Sequence, residues 1–294
     1  MKTITVNIDE DDNLALLRDH YRISPEILGY AHDLHEGAHM EYDPDDHTLL
    51  IVYSIPSGSG ANAGAKPTPI TFFVQNNELI TITRNETDYV RGVIMELLDH
   101  YPDGDAHELM FVLFDVLTSL TKKCFPMYSA ANQRRENLTT SLNRRVTRHG
   151  LFAMSELGVH LVFLETSAQQ NLLMLRQFES QPIYRSLEAP AREQFQDLLI
   201  EATQAHQMTR MSSQVLDRTS RAFDQILNTN LNDTIRVLTV LSVLIAIPTG
   251  VFGFYGINVA LPLQDNPWAW LIVIGMSVAL AAGVGAFMWR LIRR

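Results

Sequence analysis

Two uncharged apolar runs near the end of this chain leave it few ways to fold. The first extends from Val237 to about Gly256 and the second from Trp268 to Trp289, and neither contains Asp, Glu, Lys or Arg. Each run holds about 20 residues, the length a helix needs to cross roughly 30 Å of hydrocarbon. Inside hydrocarbon a helix is the element that satisfies all of its own backbone hydrogen bonds, so each run is expected to be helical. A connection of about ten residues joins them, which makes a hairpin with both ends on one side of a membrane.

Charge sets the expected orientation. From Val237 onward only Asp265, Arg290, Arg293 and Arg294 are charged. The basic cluster at residues 290–294, with Arg236 just before the first run, outweighs a connection that holds no Lys or Arg. Both ends are therefore expected on the cytoplasmic side of a plasma or inner membrane, in a multi-pass arrangement. Met1 to Asn7 runs straight into the acids Asp9 to Asp12, with no apolar leader, so no cleaved signal peptide is expected. Cys124 is the single cysteine, which excludes an intrachain disulfide and fits a buried structural thiol in a reducing compartment.

The part before the runs is acidic. Taking the three terminal arginines and Asp265 from totals of 23 basic and 33 acidic residues leaves 20 and 32. That balance repels nucleic acid and attracts cations, and it also serves plain solubility. Residues 1 to about 85 read as strand-rich: Lys2–Ile8 and Glu78–Arg84 alternate, while His47–Ile55 and Ile70–Gln75 are β-branched or aromatic. Asn76-Asn77 is a hairpin turn signal between the last two. Pro56 to Pro69 reads as a loop whose glycines match neither a phosphate loop nor a dinucleotide fingerprint. Tyr21–Gly37 has room for a short helix.

From Asp88 onward the pattern turns helical, with one helix expected from about His107 past Asn143 and another from near Leu151 to about Glu179. No glycine occurs between Gly158 and Gly250, and no proline between Pro190 and Pro248. A helix starting near Ala191 is thus free to continue into the first apolar run, over roughly 100 Å for about 65 residues. Its polar stretch from Gln204 to Gln214 must pack on the preceding helices or on copies of itself.

Tyr255-Gly256-Ile257-Asn258 closes the first run. Here the chain resembles the CorA family of divalent-cation channels, whose hallmark at this place is Tyr-Gly-Met-Asn. The resemblance takes in Leu238-Thr239-Val240, Ile247-Pro248-Thr249 and Gly253-Phe254. It implies an α/β cytoplasmic domain of αβα type (1–185), a long stalk helix (186–236) and a pore-lining membrane helix (237–257). A loop carrying the selectivity motif (258–267), a second membrane helix (268–289) and a basic cytoplasmic tail (290–294) follow. The implied assembly is a funnel-shaped homopentamer in a lipid bilayer.

The chemistry of the motif suits magnesium. Mg²⁺ prefers octahedral oxygen and sheds water reluctantly, so a filter does best by holding the hydrated ion through neutral acceptors. A ring of Asn258 carboxamides offers this without trapping a divalent charge. Gly256 lets the backbone leave the helix or approach a neighbour closely. An ordinary Gly/Asn turn between two helices is the competing reading. Ile257 departs from the usual methionine, as members of the related ZntB zinc-transporter branch also do, which leaves Mg²⁺ and Zn²⁺ both open.

Further along, the resemblance places polar Thr249 and Asn232 on the pore axis, with Leu238 and Ala246 narrowing it. The Thr249 hydroxyl has a second reading, as a partner for a backbone carbonyl left free by Pro248. It also implies regulatory ion binding between subunits, with Asp197 on the stalk and Asp88 or Asp99 as partners. His32, His35 and His39 share a helical spacing that Gly37 interrupts, and surface histidines are the simpler reading. No nucleophile–base pattern points to an enzyme, and no prosthetic group is expected. Mg²⁺, with Co²⁺ or Ni²⁺ as companions, is the expected transported and regulatory ion.

Overall fold

Alternation in the first 85 residues builds one five-stranded sheet. Strands β1 (Lys2–Asn7), β2 (His39–Asp43), β3 (Thr48–Pro56), β4 (Pro67–Gln75) and β5 (Glu78–Thr83) lie in the order β1-β5-β4-β3-β2. β1 runs parallel to β5, and the other pairs are antiparallel. Asn76 and Asn77 both take left-handed backbone angles, φ 49° and 63°, which turns β4 into β5 as a two-residue hairpin. The computed structural model describes residues 2–57, 67–99, 109–257, 262 and 267–292. Its chain forms two compact units, Met1–Ser220 and Arg221–Arg294.

The sheet is the middle layer of the first unit. On one face Val6, Ile8, Leu50, Phe73, Ile80 and Ile82 meet Leu17, Ile23 and Ala31. These last come from the segment that holds α1 (Asp11–Ala15), its π-helical continuation Leu16–His20, and α2 (Pro25–His32). The other face turns Leu49, Ile51, Tyr53, Ile55, Ile70, Phe72 and Leu79 towards longer helices. These are α3 (Tyr89–Leu98), α4 (Leu109–Arg144), α5 (Arg148–Glu179) and the start of α7 (Ala189–Tyr255), with the single turn α6 (Pro182–Ser186) before α7. Each strand thus sends alternate side chains to two different cores, the period-two rule that makes an αβα sandwich. Phe114, Phe178 and Phe195 tie α4, α5 and α7 together, with ring centroids 5.1 to 5.5 Å apart.

Helix α7 continues unbroken for 67 residues. Its polar first half is anchored by Ala191, Phe195, Leu198, Ala202, Ala205, Thr209 and Leu216, all buried in the first unit at helical spacing. Packing on the preceding helices, one of the two expected solutions, is thus present within a single chain. Cys124 is buried, its Sγ directed at the Leu120 carbonyl (3.3 Å), and burial pushes the thiol up to about 12. Arg84 is also buried; its guanidinium donates to the Ala31 carbonyl (2.8 Å) and lies 3.5 Å from Asp9, tying α2 to the end of β5.

Two elements depart from expectation. β2 is an edge strand over residues where no strand is expected, because only Met40 is buried among its five residues and alternation is weak. The histidines do not share a helix: α2 ends at His32, capped at Asp33, and His39 opens β2. His39 Nδ1 lies 2.9 Å from the Gly37 carbonyl and 3.3 Å from Glu36, and the one-face reading of His32, His35 and His39 is overturned.

The longest-range polar bond in the core fixes α5 to the sheet. β2 stops at the His39↔Val52 pair, so Ser54 on β3 has no strand beside it on that edge. The Asn171 carboxamide takes the missing strand's place. Ser54 N–H donates to Asn171 Oδ1 (2.9 Å), and Asn171 Nδ2 donates to the Ser54 carbonyl (2.7 Å). Ser167 Oγ donates to the same carbonyl (3.1 Å). Removing the carboxamide leaves the buried Ser54 N–H unpaired, at a cost of about 1–3 kcal/mol, while the carbonyl keeps Ser167. Asn171→Ala is therefore expected to lower unfolding stability by about 1–3 kcal/mol. Denaturant melts of the detergent-solubilised protein would read this, and a variant as stable as the parent would refute the strand-substitute role.

Candidate functional site

The second unit pairs the apolar half of α7 with α8 (Ala269–Ile292). Among the described residues, three helices are long and apolar enough to cross a membrane: α5, α7 and α8. In α5 the apolar side is occupied in the first unit, where Leu157, Leu161, Leu164, Leu172, Leu175 and Phe178 are buried. The corresponding stretches of α7 and α8 are almost entirely unburied, at 0% and 11%. Trp270 and Trp289 sit at the two ends of α8, 61% and 62% exposed, about 28 Å apart along the axis. That separation is close to the hydrocarbon thickness of a bilayer, whose polar boundaries favour indole side chains.

The two helices meet through small residues. On α8, Val273 and Ser277 are buried and Ala281 and Gly285 half-buried, one every four residues. A methyl on Gly285 would lie 3.3 Å from Leu244 Cδ2, so a small residue at this position suits the close approach of α7. In the apolar run of α7, Val240, Val243, Leu244, Ile247, Pro248, Val251 and Tyr255 are half-buried, and at about 100° per residue they share the side on which Leu244 meets α8.

The opposite side of α7 carries the site. Thr239, Ser242, Ala246, Thr249, Gly250 and Gly253 fall in one sector of about 100°, and all are exposed. Every Ser and Thr hydroxyl of the apolar run lies in that sector, and the bulky Leu241, Ile245 and Phe252 lie outside it. Nothing lies within 4 Å of a methyl built on Gly250 or Gly253. Ala246 and Thr249 thus sit in the small, polar sector. Leu238 lies at its bulky edge, 61% exposed, and exposed Asn232 near its other edge. The Thr249 hydroxyl donates to the Ile245 carbonyl at 2.8 Å. The carbonyl that Pro248 leaves without its helical partner is that of Leu244, so Thr249 bonds one residue beyond it.

The motif closes this helix. Tyr255 is its last residue, half-buried, and Ile257 is 48% exposed. Gly256 N–H donates to the carbonyls of Phe252 (2.9 Å) and Gly253 (3.3 Å), while a methyl on Gly256 would meet the Phe252 oxygen at 3.1 Å. Close approach, rather than a left-handed backbone, is the demand on this glycine. Asn258 lies outside the described residues.

The proposed regulatory acids are spread over the first unit. Asp197 is exposed on α7. Asp88 precedes α3 and lies 3.7 Å from Arg91, and Asp99 follows the same helix. Among the described residues, no group of three or more His, Cys, Asp or Glu side chains is arranged to hold a metal within one chain. Sequence reasoning did not single out Ser242; its seven-residue spacing from Thr249 was the available signal.

Comparison with known proteins decides the family. The description "CorA-like Mg2+ transporter protein" matches residues 4–293. The chain belongs to the CorA-like Mg²⁺ transporter family. It is 24% identical over 276 residues to the cobalt/magnesium transport protein CorA of Methanocaldococcus jannaschii, covering 92% of this chain and 84% of that relative. The complete structure of that organism's CorA magnesium transporter superposes with a TM-score of 0.79 at 22% identity, over 98% of this chain and 89% of the other. The full-length CmaX protein gives 0.71 at 17% identity, over 99% and 87%. The cytoplasmic domain of ZntB from Vibrio parahaemolyticus gives 0.59 at 9%, over 79% and 91%. The αβα unit, the long helix and the two terminal apolar helices are thus the CorA-like fold, in a family of transporters rather than enzymes.

The α7–α8 contact yields a direct test. Gly285→Ala is expected to be nearly neutral, because the Leu244 methyl needs to yield only a few tenths of an ångström. Gly285→Leu should destabilise by about 1–3 kcal/mol through overpacking, and Leu244→Ala in the same chain should recover much of the loss. Thermal melts in detergent read all three, and a double variant no better than Gly285→Leu would remove this contact from the account.

Proposed function

We propose that the protein is a homopentameric channel that passes hydrated Mg²⁺ into the cell, with Co²⁺ and Ni²⁺ as further substrates. The observation that carries this reading is the sector of Thr239, Ser242, Ala246, Thr249, Gly250 and Gly253, exposed in one chain and turned away from α8. Five copies arranged about an axis would line a water-filled path with those small and hydroxyl-bearing residues, and bulky Leu241, Ile245 and Phe252 would face neighbours or lipid. Asn258 would form the outermost ring, held at the end of α7 by the Tyr255-Gly256 turn. Leu238 would narrow the inner half and Asn232 would mark the cytoplasmic mouth, with both ends of the hairpin on the cytoplasmic side.

Energy for uptake comes from the membrane potential. Moving a divalent ion inward through 100 mV releases about 4.6 kcal/mol, twice the value for one charge. The first apolar run and α8 down to Trp289 hold no acidic side chain, which gives a proton relay no obvious foothold there. Ile257 in the motif favours a second reading, a zinc transporter of the ZntB kind with possible proton coupling. Reconstituted protein should pass Mg²⁺ at a rate insensitive to a pH gradient, and Asn258→Ala should reduce that flux at least tenfold with normal assembly. Zinc flux that tracks the proton gradient, with no Mg²⁺ flux, would sink the channel reading in favour of the second.

Closure is assigned to intracellular ion bound between subunits, with Asp197 of one copy facing Asp88 or Asp99 of the next. Exposure of Asp197 and Asp99, and the single weak pairing of Asp88 with Arg91, fit acids waiting for a partner outside their own chain. Asp197→Asn is expected to leave maximal flux intact and to shift half-inhibition by internal Mg²⁺ to a several-fold higher concentration. An unchanged inhibition curve would take Asp197 out of the regulatory site.

A further inference from the structure

The hydroxyl chemistry of the exposed sector reaches one residue beyond those assigned above. Ser242 lies seven residues before Thr249, so the two point within about 20° of each other on α7. Each spends its single proton on the helix. Ser242 Oγ donates to the Leu238 carbonyl at 2.8 Å, and Thr249 Oγ1 donates to the Ile245 carbonyl at 2.8 Å. A hydroxyl has one O–H and two acceptor lone pairs. With the proton committed, each oxygen meets anything beside the helix as an acceptor.

A hydrated divalent cation presents the complementary face. Its inner waters turn their oxygens to the metal, and their O–H groups point outward as donors. A ring of acceptor-only hydroxyls therefore suits the hydrated ion and offers less to a bare one, which needs a full set of close oxygen ligands. Being uncharged, such a ring also binds weakly enough to release.

We propose that Ser242 forms a second ring of neutral acceptors in the ion path, about 10 Å from the Thr249 ring along the axis. Ala246, on the same side between them, leaves room for the intact hydration shell as the ion passes. This rests on the reading of α7 as the pore helix. It adds a polar station between Leu238 and Ala246, the two residues expected to narrow the path. Self-bonding of Ser and Thr is common in helices and by itself carries no function. What marks Ser242 is its alignment with Thr249 in the one sector that carries every Ser and Thr of the run.

Full-length protein in liposomes tests the two claims separately. Ser242→Cys, Thr249→Cys and Leu241→Cys are each exposed to a small cationic methanethiosulfonate. The native Cys124 is buried, with its thiol pushed up to about 12, so the parent should be unaffected. Modification is expected to cut Mg²⁺ flux several-fold at positions 242 and 249 and to leave Leu241→Cys unchanged. Block at 249 without block at 242 overturns the Ser242 proposal and leaves the pore reading standing. No block at either position overturns both. Ser242→Ala should lower flux about threefold to tenfold, the worth of one lost hydrogen bond, and Ser242→Thr should retain it. Flux equal to the parent in Ser242→Ala removes the acceptor role even if the position is accessible.

Discussion

One helix answers to two kinds of surroundings, and the rest of the protein is arranged around that demand. Over its first turns α7 inserts Ala191, Phe195 and Leu198 into the αβα core. Over its last turns it presents Val240, Leu244, Ile247 and Val251 to α8. A helix alone keeps its backbone bonds satisfied through both settings without a loop, which would expose polar groups where no water can reach them. Continuity therefore fixes what the side chains must do. The first half keeps only a narrow buried stripe, and the second gives up charge altogether from Val237 to its end.

The αβα unit is stiffened by polar contacts where its apolar ones run out. Asn171 stands in for a strand along the end of β3, and Tyr53 shares a buried 2.7 Å bond with Thr121 across to α4. Burial pushes the Tyr53 phenol well above its ordinary range, which keeps it neutral and in that bond at any physiological pH. Both contacts tie the long helices to the sheet from which α7 departs.

Much of this was legible in the sequence, and the gaps have physical reasons. Strands β1, β3, β4 and β5 declared themselves through alternation or β-branched runs, and Asn76-Asn77 through the left-handed turn it takes. The length of α7 followed from the missing Gly between residues 158 and 250 and the missing Pro between 190 and 248. β2 was hidden because an edge strand buries too little to show a pattern. The Asn171–Ser54 bond joins residues 117 apart, a distance at which polar residues leave no periodic trace. At the candidate site, position gave the motif its meaning, since Tyr255-Gly256-Ile257 ends an uncharged run. The Thr249 hydroxyl was readable as a backbone partner, but which carbonyl it takes required the geometry.

Pro248 gives the apolar helix a lever. It removes one rung of the hydrogen-bond ladder at the Leu244 carbonyl, so the segment from Thr249 to Tyr255 is hung on a softer joint than the turns before it. That tip is about 10 Å long, and a tilt of roughly 10° at the joint would swing its end by about 2 Å. In a ring of identical copies, every tip would move inward or outward together. A change in bore near the diameter of a water molecule would then need no unfolding and no sliding of α7 along α8.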